Sequence, residues 1–279
     1  MIRLLPPVNR ARGFRLYTQD GRRFIDLWQS GGGALLGHNP PNVLRELKNA
    51  ANRGLIAPLP HLRENRLIKA LGKLFPDKKT IRLFADEASL RRALSSMNVP
   101  GAQDPFFDPA LNDFSEKDPP AISLWRPFLP ERFLPQLSAP FLVPVLPWPL
   151  SPGVLVFAKD PETENKFTQA ANAAHDMLSP VIIAAATRSV HDLIAAPERG
   201  KVNYLKIKKT LAYDKCIWQQ RGIYLSLKSL PDSYAELFSI FLEGGFLLPP
   251  DLHQPLILPG ELSPGEESNL AELLSVVGV

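Results

Sequence analysis

The stretch Tyr17-Thr18-Gln19-Asp20-Gly21-Arg22-Arg23-Phe24-Ile25-Asp26, followed by Gly33-Ala34-Leu35-Leu36-Gly37-His38-Asn39-Pro40, decides how the chain is read. Phe14-Arg15-Leu16-Tyr17 and Arg23 to Leu27 are apolar-polar runs on either side of Gln19-Asp20-Gly21. An Asp-Gly pair accepts the left-handed backbone of a tight turn, so residues 14 to 27 predict a β-hairpin. Ser30-Gly31-Gly32-Gly33 then predicts a flexible loop, able to bring a ligand close to the backbone. A helix follows, with Asn39 or Asn42 as its cap, Val43, Leu44, Leu47, Ala50 and Ala51 on one face, and Gly54 as its stop.

Further helices are expected over Leu62 to Leu74, Glu87 to Ser96, Glu162 to Met177 and Pro180 to Ala195, the last with Ser179 as cap and Pro180 in its first position. Thr80 to Phe84 reads as a short buried strand, and Ala139 to Leu146 and Gly153 to Phe157 as two more in an otherwise irregular middle. That middle is marked by proline: ten of the 29 prolines fall between Asp118 and Ala158. Each ring removes an amide donor and drives the preceding residue out of the helical region, so long helices are excluded there. Toward the C-terminus, Gly222 to Leu227 alternates as a strand and Ser233 to Leu242 is an amphipathic helix ended by Gly244-Gly245. Phe246 to Leu248 and Leu256 to Leu258 are short apolar strands. Ser263-Pro264-Gly265-Glu266 opens the last helix with a capping box, in which Ser and Glu satisfy each other's orphan amides.

A chain of 279 residues, 45% apolar, is globular in composition. Its net charge, 32 − 28 = +4, is spread along the chain and lacks the basic stripe of a nucleic-acid binder. The longest apolar run, Val181 to Ala186, is too short for a bilayer, and Pro6-Pro7 interrupts anything like a signal peptide. With one cysteine, Cys216, neither a disulfide framework nor a cysteine zinc cluster can form. A cytoplasmic protein without nucleic-acid or membrane partners is expected.

The two N-terminal motifs resemble the opening of class III aminotransferases, with glutamate-1-semialdehyde aminomutases as the nearest branch. Glu243-Gly244-Gly245-Phe246-Leu247-Leu248-Pro249-Pro250 and Leu262 to Glu266 are similar to that family's last strand, turn and closing helix, and Arg221 to Leu225 to the strand that begins its C-terminal domain. The resemblance covers about half of the chain, at both ends and in order. It implies an α/β protein with a reduced fold-type-I large domain, and an α+β small domain built from the N- and C-terminal segments. The expected division is 1–58 for the N-terminal segment, 59–178 for the reduced large domain and 179–279 for the small domain.

The family's chemistry uses a lysine that forms an aldimine with pyridoxal phosphate, a carboxylate on the pyridine nitrogen and a phosphate cup at a helix N-terminus. At the position implied for the lysine this chain has Arg126, or in a second alignment Pro147. No lysine occurs from Asp118 to Ala158, which leaves Lys159 as the alternative. Arginine stays protonated and does not form this Schiff base. The cup matches Phe84-Ala85-Asp86-Glu87-Ala88-Ser89, where Asp86 places an anion in the position of a phosphate. The second phosphate contact matches Ser179-Pro180, and the block between Glu87 and Arg126 is too short for the strands and helices that carry the ring-stacking residue and the carboxylate.

No catalytic residue is therefore expected. Ser30, Gly31, Arg126 and Ser179 are the candidates for a remnant binding cleft, with Trp125 or Trp148 lining it, and Arg126 is alternatively an ordinary ion pair. His38 is expected to cap or pack at its turn. His61, His175, His191 and His253 lack metal-ligand spacing, so no metal site is expected. Arg199, Lys201, Lys206, Lys208, Lys209 and Lys215 form a basic cluster read as a solvated face or a contact for an acidic partner, and Cys216 reads as buried filler. The resemblance implies a homodimer, or a heterodimer with an intact aminotransferase. The expected function is that of a non-catalytic homologue without bound cofactor. The alternative is an active pyridoxal-phosphate enzyme using Lys159 or a site shared with another chain.

Overall fold

The computed structural model describes residues 1–76, 80–113, 120–133, 139–148, 152–157, 176–214, 216–229 and 231–276. The chain divides into two compact units. One combines Met1–Pro40, Phe128–Pro130 and Pro197–Val279, and the other Pro41–Pro127 and Glu131–Ala196. The division thus falls at Pro40 and Ala196, where 58 and 178 were expected. The reason lies in two helices, α1 (Pro41–Ala51) and α4 (Pro180–Ile194), which pack on each other in the second unit through Val43 and Ala185.

The first unit contains the hairpin read from the sequence, β2 (Arg15–Thr18) and β3 (Arg23–Asp26), flanked by β1 (Val8–Arg12). The fourth strand of this sheet, β10 (Phe246–Leu247), pairs parallel to β3, in the order β1-β2-β3-β10. A second sheet has the order β11-β9-β8, with β8 (Trp218–Arg221), β9 (Tyr224–Leu227) and β11 (Leu256–Ile257). Helices α5 (Leu205–Leu211), α6 (Tyr234–Glu243) and α7 (Pro264–Val276) complete the unit. One apolar core joins Phe24, Trp218, Phe238, Phe241, Phe246 and Leu270, with Trp218 and Phe241 meeting edge to face at 6.1 Å. The segment 128–130 lies against Gly222, where a Cβ would stand 2.7 Å from the Phe128 carbonyl oxygen; the left-handed φ of +65° also demands glycine.

The second unit is layered around a sheet in the order β4-β7-β6-β5, formed by β4 (Thr80–Phe84), β5 (Ile122–Trp125), β6 (Phe141–Pro144) and β7 (Gly153–Phe157). Both faces are covered. Along β7, Val154 and Val156 face α2 (Arg63–Leu74) and α4, whereas Leu155 and Phe157 face α3 (Glu87–Ser96). This period-two burial on both faces explains why β7 reads as an unbroken apolar run. Strand β7 is antiparallel to β4 and to β6, while β5 and β6 are parallel, so β4, β5 and β6 share one direction. The helix expected over Glu162 to Met177 lies outside the described residues up to 175, and Asp176 and Met177 are not helical.

The capping box forms as read. The Ser263 amide donates to Glu266 Oε2 at 2.8 Å, and the Glu266 amide to Ser263 Oγ at 3.3 Å. Glu266 also accepts from Arg15 at 2.8 and 3.1 Å and pairs with Arg23 at 3.2 Å, tying α7 to the hairpin. Burial alone would raise the Glu266 carboxyl; the Arg15 and Ser263 donors outweigh it and hold it at about 2, below its ordinary 4.5. A depressed carboxyl stabilises the fold above its unfolded value and ceases to do so as protons are added. Stability is therefore expected to fall as pH drops from about 4.5 toward 2, and this acid slope to be shallower in Glu266→Gln. Urea unfolding at pH 7 should show Glu266→Gln less stable by about 2 kcal/mol.

Candidate functional site

Because β4, β5 and β6 run together, residues 84–86, 125–126 and 144–147 lie beyond the same end of the sheet, the end at which open α/β sheets carry their sites. Arg126 directly follows β5 and is 4% exposed. Its Nε lies 2.8 and 2.9 Å from the two oxygens of Asp108, and its Nη2 lies 2.6 Å from Oδ2. Asp108 is equally buried and also accepts the Ala110 amide at 2.9 Å. The candidate anion-binding side of this guanidinium is thus turned to a carboxylate of its own chain. Pro147, the other position matched to the lysine, is buried beyond β6, and Lys159 lies outside the described residues.

At the end of β4, Asp86 is the N-cap of α3 and accepts the Ser89 amide at 2.7 Å. That amide bond, with help from the Ser89 hydroxyl and Arg92, holds its carboxyl below the usual range. Arg92 Nη2 in turn donates to Ser89 Oγ at 2.7 Å. Asp176 closes the same loop from another segment, its Oδ2 accepting the Ala85 amide at 2.9 Å and its own amide donating to Leu83. Ser179 stands at the N-cap of α4, but its side chain makes no capping bond. The two tryptophans are packed rather than lining a cleft: Trp125 meets Phe75 edge-on at 5.0 Å, and Trp148 is buried against Val43 and Ala185.

In the first unit, residues 29–33 are not the loose loop that their glycines suggest. Gln29, Ser30, Gly31 and Gly32 all have positive φ and form a tight turn outside right-handed helical geometry. Beneath it lies Asp26, 2% exposed, whose Oδ1 accepts the amides of Trp28 and Gln29 at 2.9 and 2.8 Å and whose Oδ2 lies 2.7 Å from His38 Nε2. Gln29 is fully buried and donates to the Ile257 carbonyl at 2.8 Å. Ser30 is exposed and Gly31 half-buried, so these two candidates are the accessible tip of an otherwise buried turn. His38 is therefore the partner of a buried carboxylate, a role that its position before Asn39-Pro40 does not announce.

Arg199 departs from the basic face expected for it. It is 7% exposed, donates to the Leu35 carbonyl at 2.9 Å, to the Leu258 carbonyl and to Gln29 Oε1 at 3.4 Å, and lies over the Phe14 ring. Burial pushes its pKa down to about 10. Cys216 is buried, as filler would be. Among the described residues no group of three or more metal-ligating side chains converges, and no helix is long and apolar enough to cross a membrane.

No protein-family model matches the chain. Over 93% of its length it is 25% identical to an uncharacterized protein of Treponema pallidum (strain Nichols), covering 91% of that protein. A 76-residue stretch, 27% of this chain, is 36% identical to glutamate-1-semialdehyde 2,1-aminomutase of Syntrophus aciditrophicus, of which it spans 18%. In three dimensions the chain is similar to the ornithine aminotransferase from Toxoplasma gondii, a structure with partial occupancy of PLP at its active site. The TM-score is 0.66 at 12% identity, over 98% of this chain and 91% of that one. The fold is that of the pyridoxal-phosphate transferases, in a reduced α/β form.

Removing one member of the Arg126–Asp108 pair leaves a buried charge without compensation. Asp108→Ala is expected to lower stability to urea by about 3–5 kcal/mol, and the joint Asp108→Leu, Arg126→Met replacement to cost much less, because no charge is then stranded.

Proposed function

We propose that this chain is a non-catalytic relative of the class III aminotransferases, a cytoplasmic protein that acts through dimerisation and the binding of a partner or small ligand. The observation that carries the reading is Arg126. At the sheet end where the resemblance puts an amine, there is a guanidinium that cannot form the aldimine, locked to Asp108 by paired hydrogen bonds. No lysine stands between Asp118 and Ala158 to take its place. In this reading the strand ends do not fit pyridoxal phosphate. The carboxylate nearest the end of β5 is spent on Arg126, and the amide donors beyond β4 already hold carboxylates.

The partner in this reading is a second copy of the chain. Ile56, Leu59 and Leu62, on the stretch that joins α1 to α2, are 67%, 52% and 82% exposed, an apolar surface that association would remove from water.

Titration with pyridoxal phosphate, followed by absorbance and borohydride trapping, is expected to give no aldimine band and no specifically labelled lysine. A band with one labelled residue, mapped by mass, would overturn the non-catalytic reading. Light scattering on the same sample should return twice the chain mass, and Ile56→Asp with Leu62→Asp should return the monomer. A persistent monomer in the wild type would direct the search to an intact aminotransferase as the partner.

A further inference from the structure

We infer that Asp86 and Asp176 exclude phosphate groups from the β4–α3 loop, each occupying backbone donors that an anion would need. The inference deepens the non-catalytic reading and rests on it. The N-terminal turn of α3 is open to solvent, with Asp86, Glu87 and Ala88 exposed, so access does not keep an anion out. The donors suit a tetrahedral oxyanion: the Ala85 and Ser89 amides, the Ser89 hydroxyl, and Arg92, whose Nη2 lies 2.7 Å from that hydroxyl oxygen. Two carboxylates have taken the amides, Asp86 from within the loop at 2.7 Å and Asp176 from a distant segment at 2.9 Å. A phosphate dianion arriving here would have to displace both or sit against their negative charge, and like charges at contact disfavour it strongly.

The backbone itself is fixed in place. A Cβ on Gly153 would come within 2.8 Å of the Asp86 carbonyl oxygen, so β7 presses directly on the loop. The exclusion therefore resides in the two side chains and not in a collapsed loop, which makes it reversible by substitution. Serine at 86 removes the charge, and its neutral hydroxyl caps α3 in the absence of a ligand but yields the Ser89 amide to an incoming anion more readily than a carboxylate does, so the helix is retained.

The test uses the full chain and inorganic phosphate as the probe, following the Ala88 and Ser89 amide resonances by NMR in the wild type, Asp86→Ser, and Asp86→Ser with Asp176→Asn. The wild type should show no saturable shift. Asp86→Ser should bind phosphate about tenfold more tightly or better, with the double variant tighter still and Arg92→Ala in that background weaker. Saturable shifts of the same affinity in wild type and variants would overturn the inference, as would no binding in either variant. A labelled lysine in wild type after borohydride trapping would instead overturn the non-catalytic reading, so the two failures are distinguishable.

Discussion

The N-terminal turn depends on one buried carboxylate. Asp26 is 2% exposed, and so buried a polar group is tolerable because both of its oxygens are engaged, one by two backbone amides and the other by His38. With those amides fixed, the chain can run through four consecutive residues of positive φ, two of which, Gln29 and Ser30, are not glycine and cost on the order of 1–3 kcal/mol each. The Gln29 side chain, held by Ile257 and Arg199, closes the turn from the other side. A strained conformation of this kind persists only where its surroundings overdetermine it, and here they do so with one aspartate, one histidine and one buried arginine.

The same device recurs. In several places a carboxylate from the chain itself answers gathered polar donors: Asp26 under the turn, Asp86 and Asp176 at the β4–α3 loop, Asp108 on Arg126, Glu266 on Arg15 and on the last helix. Each of these acids satisfies donors of the chain itself. Two of these contacts, Asp176 on the Ala85 amide and Glu266 on Arg15, join segments distant in sequence.

Much of the architecture is legible in the sequence because local signals and burial agree. The Asp20-Gly21 turn, the Ser263/Glu266 box, the apolar β7 and α3 from Glu87 to Ser96 all stand where pattern and capping put them. Strand β1 gives no such signal: Val8-Asn9-Arg10-Ala11-Arg12 is largely exposed and extended only because β2 pairs with it. Nor does β8, whose Gln219 and Gln220 are polar within a strand fixed by β9. At the site, Arg126 as the match to the family's lysine is what the resemblance implies, and the absence of lysine from Asp118 to Ala158 can be read from the sequence. The partner of Arg126 could not be read there, since Asp108 lies in an irregular segment and only the fold brings it to Arg126. Arg199 misleads for a related reason: five lysines nearby in sequence imply a solvated face, and its burial is set by carbonyls from residues 35 and 258.

The discontinuity of the first unit imposes an order on its assembly during synthesis. The second unit is complete once residue 196 has left the ribosome, and its β4 and β7 can pair at once. The hairpin made at the start must wait: β3 completes its ladder only with Phe246 and Leu247, Gln29 needs the carbonyl of Ile257, and Arg15 finds Glu266 across 251 positions of chain. Until then the outer edge of β3 and the apolar faces of Phe24 and Ile25 remain uncovered, so the nascent N-terminus is an unpaired strand edge open to any other extended segment.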